Sequence, residues 1–219
     1  MSADKKKTAK LDAALIVAIA SAAVFCALML CVVTGQAAWL DDAAHTLLVS
    51  ALRQESITPV MEAFSNLISP VSIIVVWLVF LAFAPGKRPG LCLFANLTGA
   101  LIVDQVIKFI IQRPRPDGFQ LATETGFSFP SAHSVMAAVL FGLIIWYVWH
   151  FEKDALRRNL VCIAFGLIAA MIGISRVYLG VHYASDVLGG FALALVWLAL
   201  FDKFLAPLFI SEGASRKQR

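Results

Sequence analysis

An all-α, polytopic membrane bundle with six transmembrane helices is the fold class this sequence predicts, and three observations predict it. Of the 219 residues, 60% are hydrophobic and only 15% charged, against about 45–50% and about 25% in a soluble domain. With a mean hydropathy of +0.84, the chain cannot cover an apolar core with polar side chains, which excludes an ordinary soluble globule and a disordered protein. Apolar runs recur at about the 20 residues that cross a hydrocarbon layer. The basic residues gather at the ends of these runs, as they do around membrane spans.

The first run extends from Leu11 to Val33 behind Lys5, Lys6, Lys7 and Lys10. It is too long for a signal peptide, whose apolar core is about 7–15 residues, and is read as a retained first span. Leu67–Ala84 is the second, roughened at its start by Ser69 and Pro70. Leu91–Ile111 is the third, Ser131–Trp149 the fourth, Leu160–Leu179 the fifth and Val187–Leu205 the sixth. Lipid forces each backbone polar group to be satisfied within its own segment, so each run is expected to be helical. Between the first two spans, Leu40, Ala44, Leu47, Leu48, Ala51 and Leu52 recur at helical spacing among Asp41, Asp42, Arg53 and Glu55. Trp39–Phe64 is therefore expected to be an amphipathic helix, lying on the outer membrane surface or packed on the outer end of the bundle. No polar linker divides the chain, so residues 1–219 are read as a single domain.

Six spans place both termini on one side. That side carries thirteen of the eighteen Lys and Arg residues; Arg53, Arg113, Arg115 and Arg176 fall on the other, and Lys108 within a span. The positive-inside rule then puts the termini in the cytoplasm of a cell-membrane protein. The basic balance is explained by topology, and no nucleic-acid partner is expected. Cys26, Cys31, Cys92 and Cys162 lie in apolar runs without metal-ligand spacing and are read as small buried hydrophobes.

Under this topology, polar groups converge on the outer face. Lys108, Arg113 and Arg115 end the third span, Ser131 and His133 open the fourth, Ser175 and Arg176 close the fifth, and His182 and Asp186 open the sixth. Charges within spans are costly and mark function. Lys108, Arg115 and Arg176 would repel one another unless an anion joins them, and the guanidinium fork suits phosphate. Ser131 stands at a helix N-terminus, whose free N–H groups favour anions. His182 and Asp186, four residues apart, would share a helix face, the carboxylate orienting an imidazole able to attack phosphorus. His133 could serve as general acid and base. Two histidines and a carboxylate also suit a divalent metal, but three adjacent fixed cations disfavour it, so no metal or cofactor is expected. Asp104, one turn before Lys108, is expected to pair with it, and Arg113 to be auxiliary.

These residues resemble the three-part signature of the type 2 phosphatidic acid phosphatase superfamily, K-x6-R-P, P-S-G-H and S-R-x5-H-x3-D. The chain carries Lys108 with Arg115-Pro116, then Pro130-Ser131-Ala132-His133, then Ser175-Arg176 with His182 and Asp186. It departs only at Ala132, where the family usually has Gly, leaving the backbone N–H in place but tightening the approach to phosphate. The resemblance spans residues 108–186 and implies a metal-independent lipid phosphatase of the bacterial membrane branch. It implies His182 as nucleophile through a phosphohistidine, Asp186 as its orienting carboxylate and His133 as general acid and base. Lys108, Arg115, Ser131, Ala132 and Arg176 would bind the phosphoryl group. The implied substrates are undecaprenyl diphosphate first, phosphatidylglycerophosphate next, and phosphatidic acid or lipid A after these. A different class stays open, a membrane protein that binds or transports lipid phosphate without hydrolysing it. Phe119, Phe127 and Phe129 flank the site and would touch a lipid tail or cover the bundle.

Overall fold

The computed structural model describes residues 2–83, 87–118 and 120–205. Phe119, the end of the second expected span at Ala84, and the basic residues Arg216, Lys217 and Arg219 lie outside the described residues. The regular elements among the described residues are all helical: α1 (Ser2–Val33), α2 (Ala38–His45), a π-helical turn at Thr46–Ala51, α3 (Thr58–Asn66), α4 (Pro70–Phe83), α5 (Lys87–Ile111), α6 (Ala132–Phe151), α7 (Ala155–Tyr178) and α8 (Ala184–Leu200), which runs on into a π-helical turn at Phe201–Leu205.

Among the described residues, five helices are long and apolar enough to span a membrane: Leu15–Val33, Gly90–Ile111, Ala132–Phe151, Ala155–Tyr178 and Ala184–Leu205. A sixth crossing is available only if Thr58–Asn66 and Pro70–Val79 act together, and these two are bent by 44°. The expected second span, Leu67–Ala84, is thus bent at its roughened start and, with Thr58–Asn66, begins earlier. The break has a local cause. Pro70 has no N–H to give the preceding turn, and Ser72 Oγ donates instead to Asn66 O at 2.6 Å while Ser72 N donates to Ser69 Oγ at 3.2 Å.

The amphipathic segment is also corrected. It is not one helix but α2, the π-helical turn and α3, and it packs on the end of the bundle. Tyr178, at the C-terminus of α7, fastens it: its hydroxyl accepts from Gln54 N at 2.9 Å and sits 3.0 Å from Gln54 O, and its carbonyl accepts from Arg53 Nη2 at 2.6 Å.

α6 is the central helix, packed against α5, α7 and α8, while α1 lies along α8. The core is apolar, with Leu97, Phe129, Val135, Val139 and Ile172 fully buried. Outward faces are apolar as well, Ile16 and Ile19 on α1, Phe109 and Ile110 on α5 and Leu156 and Leu167 on α7 being exposed. A surface of this kind suits lipid, and it accounts for the composition. Because lipid offers no hydrophobic drive between helices, small residues decide where backbones meet. A Cβ at Gly190 would lie 2.8 Å from Ser131 O, and one at Gly189 would lie 2.6 Å from the Phe129 ring. These two glycines let the start of α8 lie against the start of α6.

Candidate active site

Four helix ends meet at one end of the bundle. The C-terminal turns of α5 and α7 bring Lys108 and Arg176, and the N-terminal turns of α6 and α8 bring His133 and Asp186. Residues 112–118 and 120–131 belong to the loop over them. Gln112, at φ 53°, takes the left-handed turn that ends α5, and Arg113 and Arg115 follow it. Ser131 caps α6 in extended backbone, its Oγ 3.5 Å from Ser134 N, and its own N–H donates to Asp186 O at 3.0 Å. The starts of α6 and α8 are thereby locked together.

His182 stands before α8, not on it, so the helical spacing expected for His182 and Asp186 does not apply. Asp186 is the third residue of α8. Its carboxylate reaches back over the helix start, Oδ2 accepting from Tyr183 N at 2.8 Å, the geometry of half a capping box. The same oxygen lies 3.4 Å from His182 Nδ1 and accepts from Ser128 Oγ. On the other side of the ring, His182 Nε2 lies 3.2 Å from Arg115 Nη1. A guanidinium can only donate, so Nε2 presents its lone pair and Nδ1 carries the proton toward Asp186. Burial pushes the His182 pKa down to about 4, against the opposing pull of Asp186. The imidazole is therefore neutral across the range where its free form would titrate, with its lone pair available at pH 5 and above.

The cations divide their work. Lys108 Nζ donates to the carbonyls of Phe127 and Ser128, each at 3.2 Å, and to that of Pro130. Its three protons hold the loop that leads into Ser131. The expected Asp104–Lys108 pair does not form; Asp104 Oδ2 accepts from Gln105 at 3.0 Å instead. Three carbonyls of the loop before α6 outcompete a side chain on the ammonium's own helix. Arg115 clamps Gly126 O at 3.1 Å, Thr125 O at 3.0 Å and Val181 O at 2.9 Å, and its burial lowers its pKa. Arg176, 2% exposed, donates to Ser65 Oγ on α3 and to Glu124. Its Nε is buried without an acceptor. Glu124 also stands 3.8 Å from Arg115 Nη2, so one carboxylate is shared by two guanidinium groups and a net positive charge remains.

Arg113 does more than an auxiliary cation would. Its Nη1 donates to Asp186 Oδ1 at 2.6 Å and its Nη2 to Asp41 Oδ2 at 2.6 Å. Asp41, Ser65, Glu124 and Ser128 are the site residues that sequence reasoning missed. Only the Asp41-Asp42 pair gave any signal, and it was absorbed into the polar face of an amphipathic helix. Phe129 is fully buried core, stacked 5.8 Å from Phe25, whereas Phe127 lines the site cavity.

That cavity, about 320 Å³, is lined by Lys108, Arg115, Glu124, Ala132, His133 and His182 among others. Ala132 and His133 also border a second cavity of about 230 Å³, walled by Ile68, Ile73, Ile74, Trp77, Leu101 and Met136. A charged chamber thus adjoins an apolar groove, with His133 between them. Among the described residues no group of three or more His, Cys, Asp or Glu is arranged to hold a metal ion.

Comparison with known proteins shows the family and the fold. The model of the PAP2 superfamily matches residues 89–207. The chain belongs to the PAP2 superfamily. Phosphatidylglycerophosphatase B of Bacillus subtilis (strain 168) is 44% identical over 104 residues, 47% of this chain and 51% of that protein. Dolichyldiphosphatase 1 of Homo sapiens is 32% identical over 158 residues, 65% of each chain. The chain therefore spans between half and two thirds of the length of these curated relatives. Among solved structures, the transmembrane PAP2-type phosphatidylglycerolphosphate phosphatase from Bacillus subtilis superposes with a TM-score of 0.74 at 31% identity, covering 86% of this chain and 96% of that one. LpxE of Aquifex aeolicus shares the fold, with a TM-score of 0.62 at 21% identity over 75% of this chain and 96% of that one. The protein is a multi-pass membrane protein of this fold.

Proposed function

We propose that the protein is a metal-independent lipid phosphatase that works through a covalent phosphohistidine. The observation that carries this reading is the orientation of His182, held at Nδ1 by a fully buried carboxylate with its Nε2 lone pair turned toward the Arg115 cation. Binding alone would need the cations but not an oriented imidazole.

In the proposed reaction the phosphoryl group of the substrate enters the charged chamber and displaces Glu124 from Arg115 and Arg176. Nε2 attacks phosphorus in line, the phosphorus–oxygen bond to the lipid breaks, and His133 delivers a proton to the departing oxygen. His133 then takes a proton from water as its oxygen attacks phosphorus; the phosphorus–nitrogen bond breaks, its electron pair returns to Nε2, and inorganic phosphate leaves with His182 regenerated. Asp186 steadies the positive charge that grows on the imidazole. Arg115, Arg176 and the N-terminus of α6 stabilise the charge on the phosphoryl oxygens, which is most of what phosphoryl transfer requires. Lys108 contributes by holding Phe127–Pro130 in place.

The substrate class follows from the chamber and groove together. A phosphate beside an apolar groove fits an amphiphile whose headgroup reaches the site while its chain stays in the bilayer. Undecaprenyl diphosphate is our first choice, with phosphatidylglycerophosphate next; the names of the relatives, phosphatidylglycerophosphatase B and dolichyldiphosphatase, support a substrate of this kind. The positive-inside distribution of Lys and Arg supports cytoplasmic termini and a site on the outer face. The test is phosphate release by the purified protein in detergent with a chelator present, on undecaprenyl diphosphate, phosphatidylglycerophosphate and phosphatidic acid. Turnover should resist the chelator and vanish in His182→Ala. Turnover that the chelator abolishes, or that survives in His182→Ala, overturns the mechanism.

A further inference from the structure

We propose that Asp41 and Arg113 are positioning residues for the catalytic pair, forming a buried relay Asp41–Arg113–Asp186–His182 that reaches from the outer segment to the nucleophile. The inference rests on the hydrolytic reading above and assigns a role to the carboxylate of a short, otherwise largely exposed helix.

The geometry is continuous. Asp41 is 4% exposed although it lies on α2, whose other residues face outward or are only partly covered. A buried carboxylate needs compensation, and Asp41 has it from three donors: Ser185 N at 2.9 Å, Ser185 Oγ at 2.9 Å and Arg113 Nη2 at 2.6 Å. The second arm of the same guanidinium reaches Asp186 Oδ1 at 2.6 Å and Ser185 Oγ at 2.7 Å. The Tyr183 ring lies beneath it, 4.0 Å from the guanidinium carbon. Arg113 is therefore fixed in plane and direction. It pins Oδ1 of Asp186, which aims Oδ2 at Tyr183 N and His182 Nδ1.

Two consequences follow, one of geometry and one of charge. Without the pin, Asp186 can swivel and the imidazole loses its orientation. As for charge, Arg113 sits between two carboxylates. Removing the charge of Asp41 leaves Arg113 to neutralise Asp186 alone, so His182 feels less negative charge and binds a proton less readily. Removing the charge of Arg113 does the opposite. The other groups around His182 are Lys108 from α5, Arg115, Asp117 and Ser128 from the loop, His133 from α6 and, across a shared cavity, Asp42 and His45 from α2, and all of them are unchanged in both variants. Opposite signs follow from the charges themselves, so positioning is read from Arg113→Lys, which keeps the charge without the fork.

The experiment compares Asp41→Asn, Arg113→Gln, the double variant and Arg113→Lys in detergent. It measures kcat and KM for phosphatidylglycerophosphate, and it follows C2-hydrogen exchange at His182 by mass spectrometry as a function of pH. The expected result is a loss of about tenfold in kcat for Asp41→Asn, the scale of an outer-shell partner, with KM within about twofold. The midpoint of His182 exchange should move down in Asp41→Asn, up in Arg113→Gln, and return toward that of the parent in the double variant. Arg113→Lys keeps the charge without the fork, so it should keep the midpoint while losing kcat. Midpoints that move in the same direction, or not at all, overturn the relay. If the unaltered protein shows no turnover, the functional reading fails, and the exchange midpoints still decide whether the relay exists.

Discussion

Helix α7 carries arginines at both ends, and two of them, Arg157 and Arg176, could hardly differ more. Arg157, in the first turn, has a side chain 73% exposed and faces Glu152 across 3.7 Å. Arg176, in the last turn, is 2% exposed and is bonded to Ser65 and Glu124, with its Nε still unmatched. The helix dipole favours a cation at the second position and not at the first. That difference is small beside burial. An exposed pair such as Arg157–Glu152 contributes about 0–1 kcal/mol, whereas a buried cation costs several kcal/mol unless other groups compensate it. A fold keeps such a cation where compensation is built in and leaves room for a further anion. Function in this protein is legible as charge held out of solvent at one end of the bundle, against scattered, solvated charge at the other.

The sharpest way to break the comparison is to alter both arginines. Arg176→Lys keeps the charge but not the fork, and phosphate release should fall by about 10²-fold or more, as when one preorganised donor is lost from a transition state. Activity near that of the parent would mean that Arg176 only supports α3. A smaller effect is expected at Glu124, which competes with the phosphoryl group for Arg115 and Arg176. Glu124→Gln should bind vanadate several-fold more tightly, on the scale of about 1 kcal/mol for a displaced competitor, measured as inhibition of phosphate release. Weaker vanadate inhibition would instead make Glu124 part of the binding surface. The smallest effect belongs to Arg157→Gln, for which turnover and thermal midpoint in detergent should stay close to those of the parent. A tenfold loss there would undo the contrast between the two ends.

The spans and the signature residues were legible because each depends on information local in sequence. Hydropathy over about 20 residues finds a span, and counting crossings brings Lys108, His133, Arg176 and Asp186 to one face. What escaped depends on contacts between distant segments. Asp41 meets Ser185 and Arg113, and Ser65 meets Arg176, through packing that no periodicity encodes. Glu124 lies in a loop, where one carboxylate carries no pattern. The break at Ser69–Pro70 was visible as a roughness, but Glu62 and Asn66 made α3 too polar to be joined to the span it continues. His182 and Asp186 were correctly paired but for another reason than the one inferred. Their meeting depends on a helix that starts between them and a carboxylate that reaches back over its first turn.

The most direct test of the account is to look for phosphate on His182 itself. The protein, mixed with phosphatidylglycerophosphate and quenched in alkali at a series of short times, should carry a phosphorylated peptide containing His182 during turnover. The adduct should be absent from His182→Ala treated in the same way. Phosphate release that proceeds in the parent protein with no phosphohistidine at residue 182 under any quench time would contradict the account.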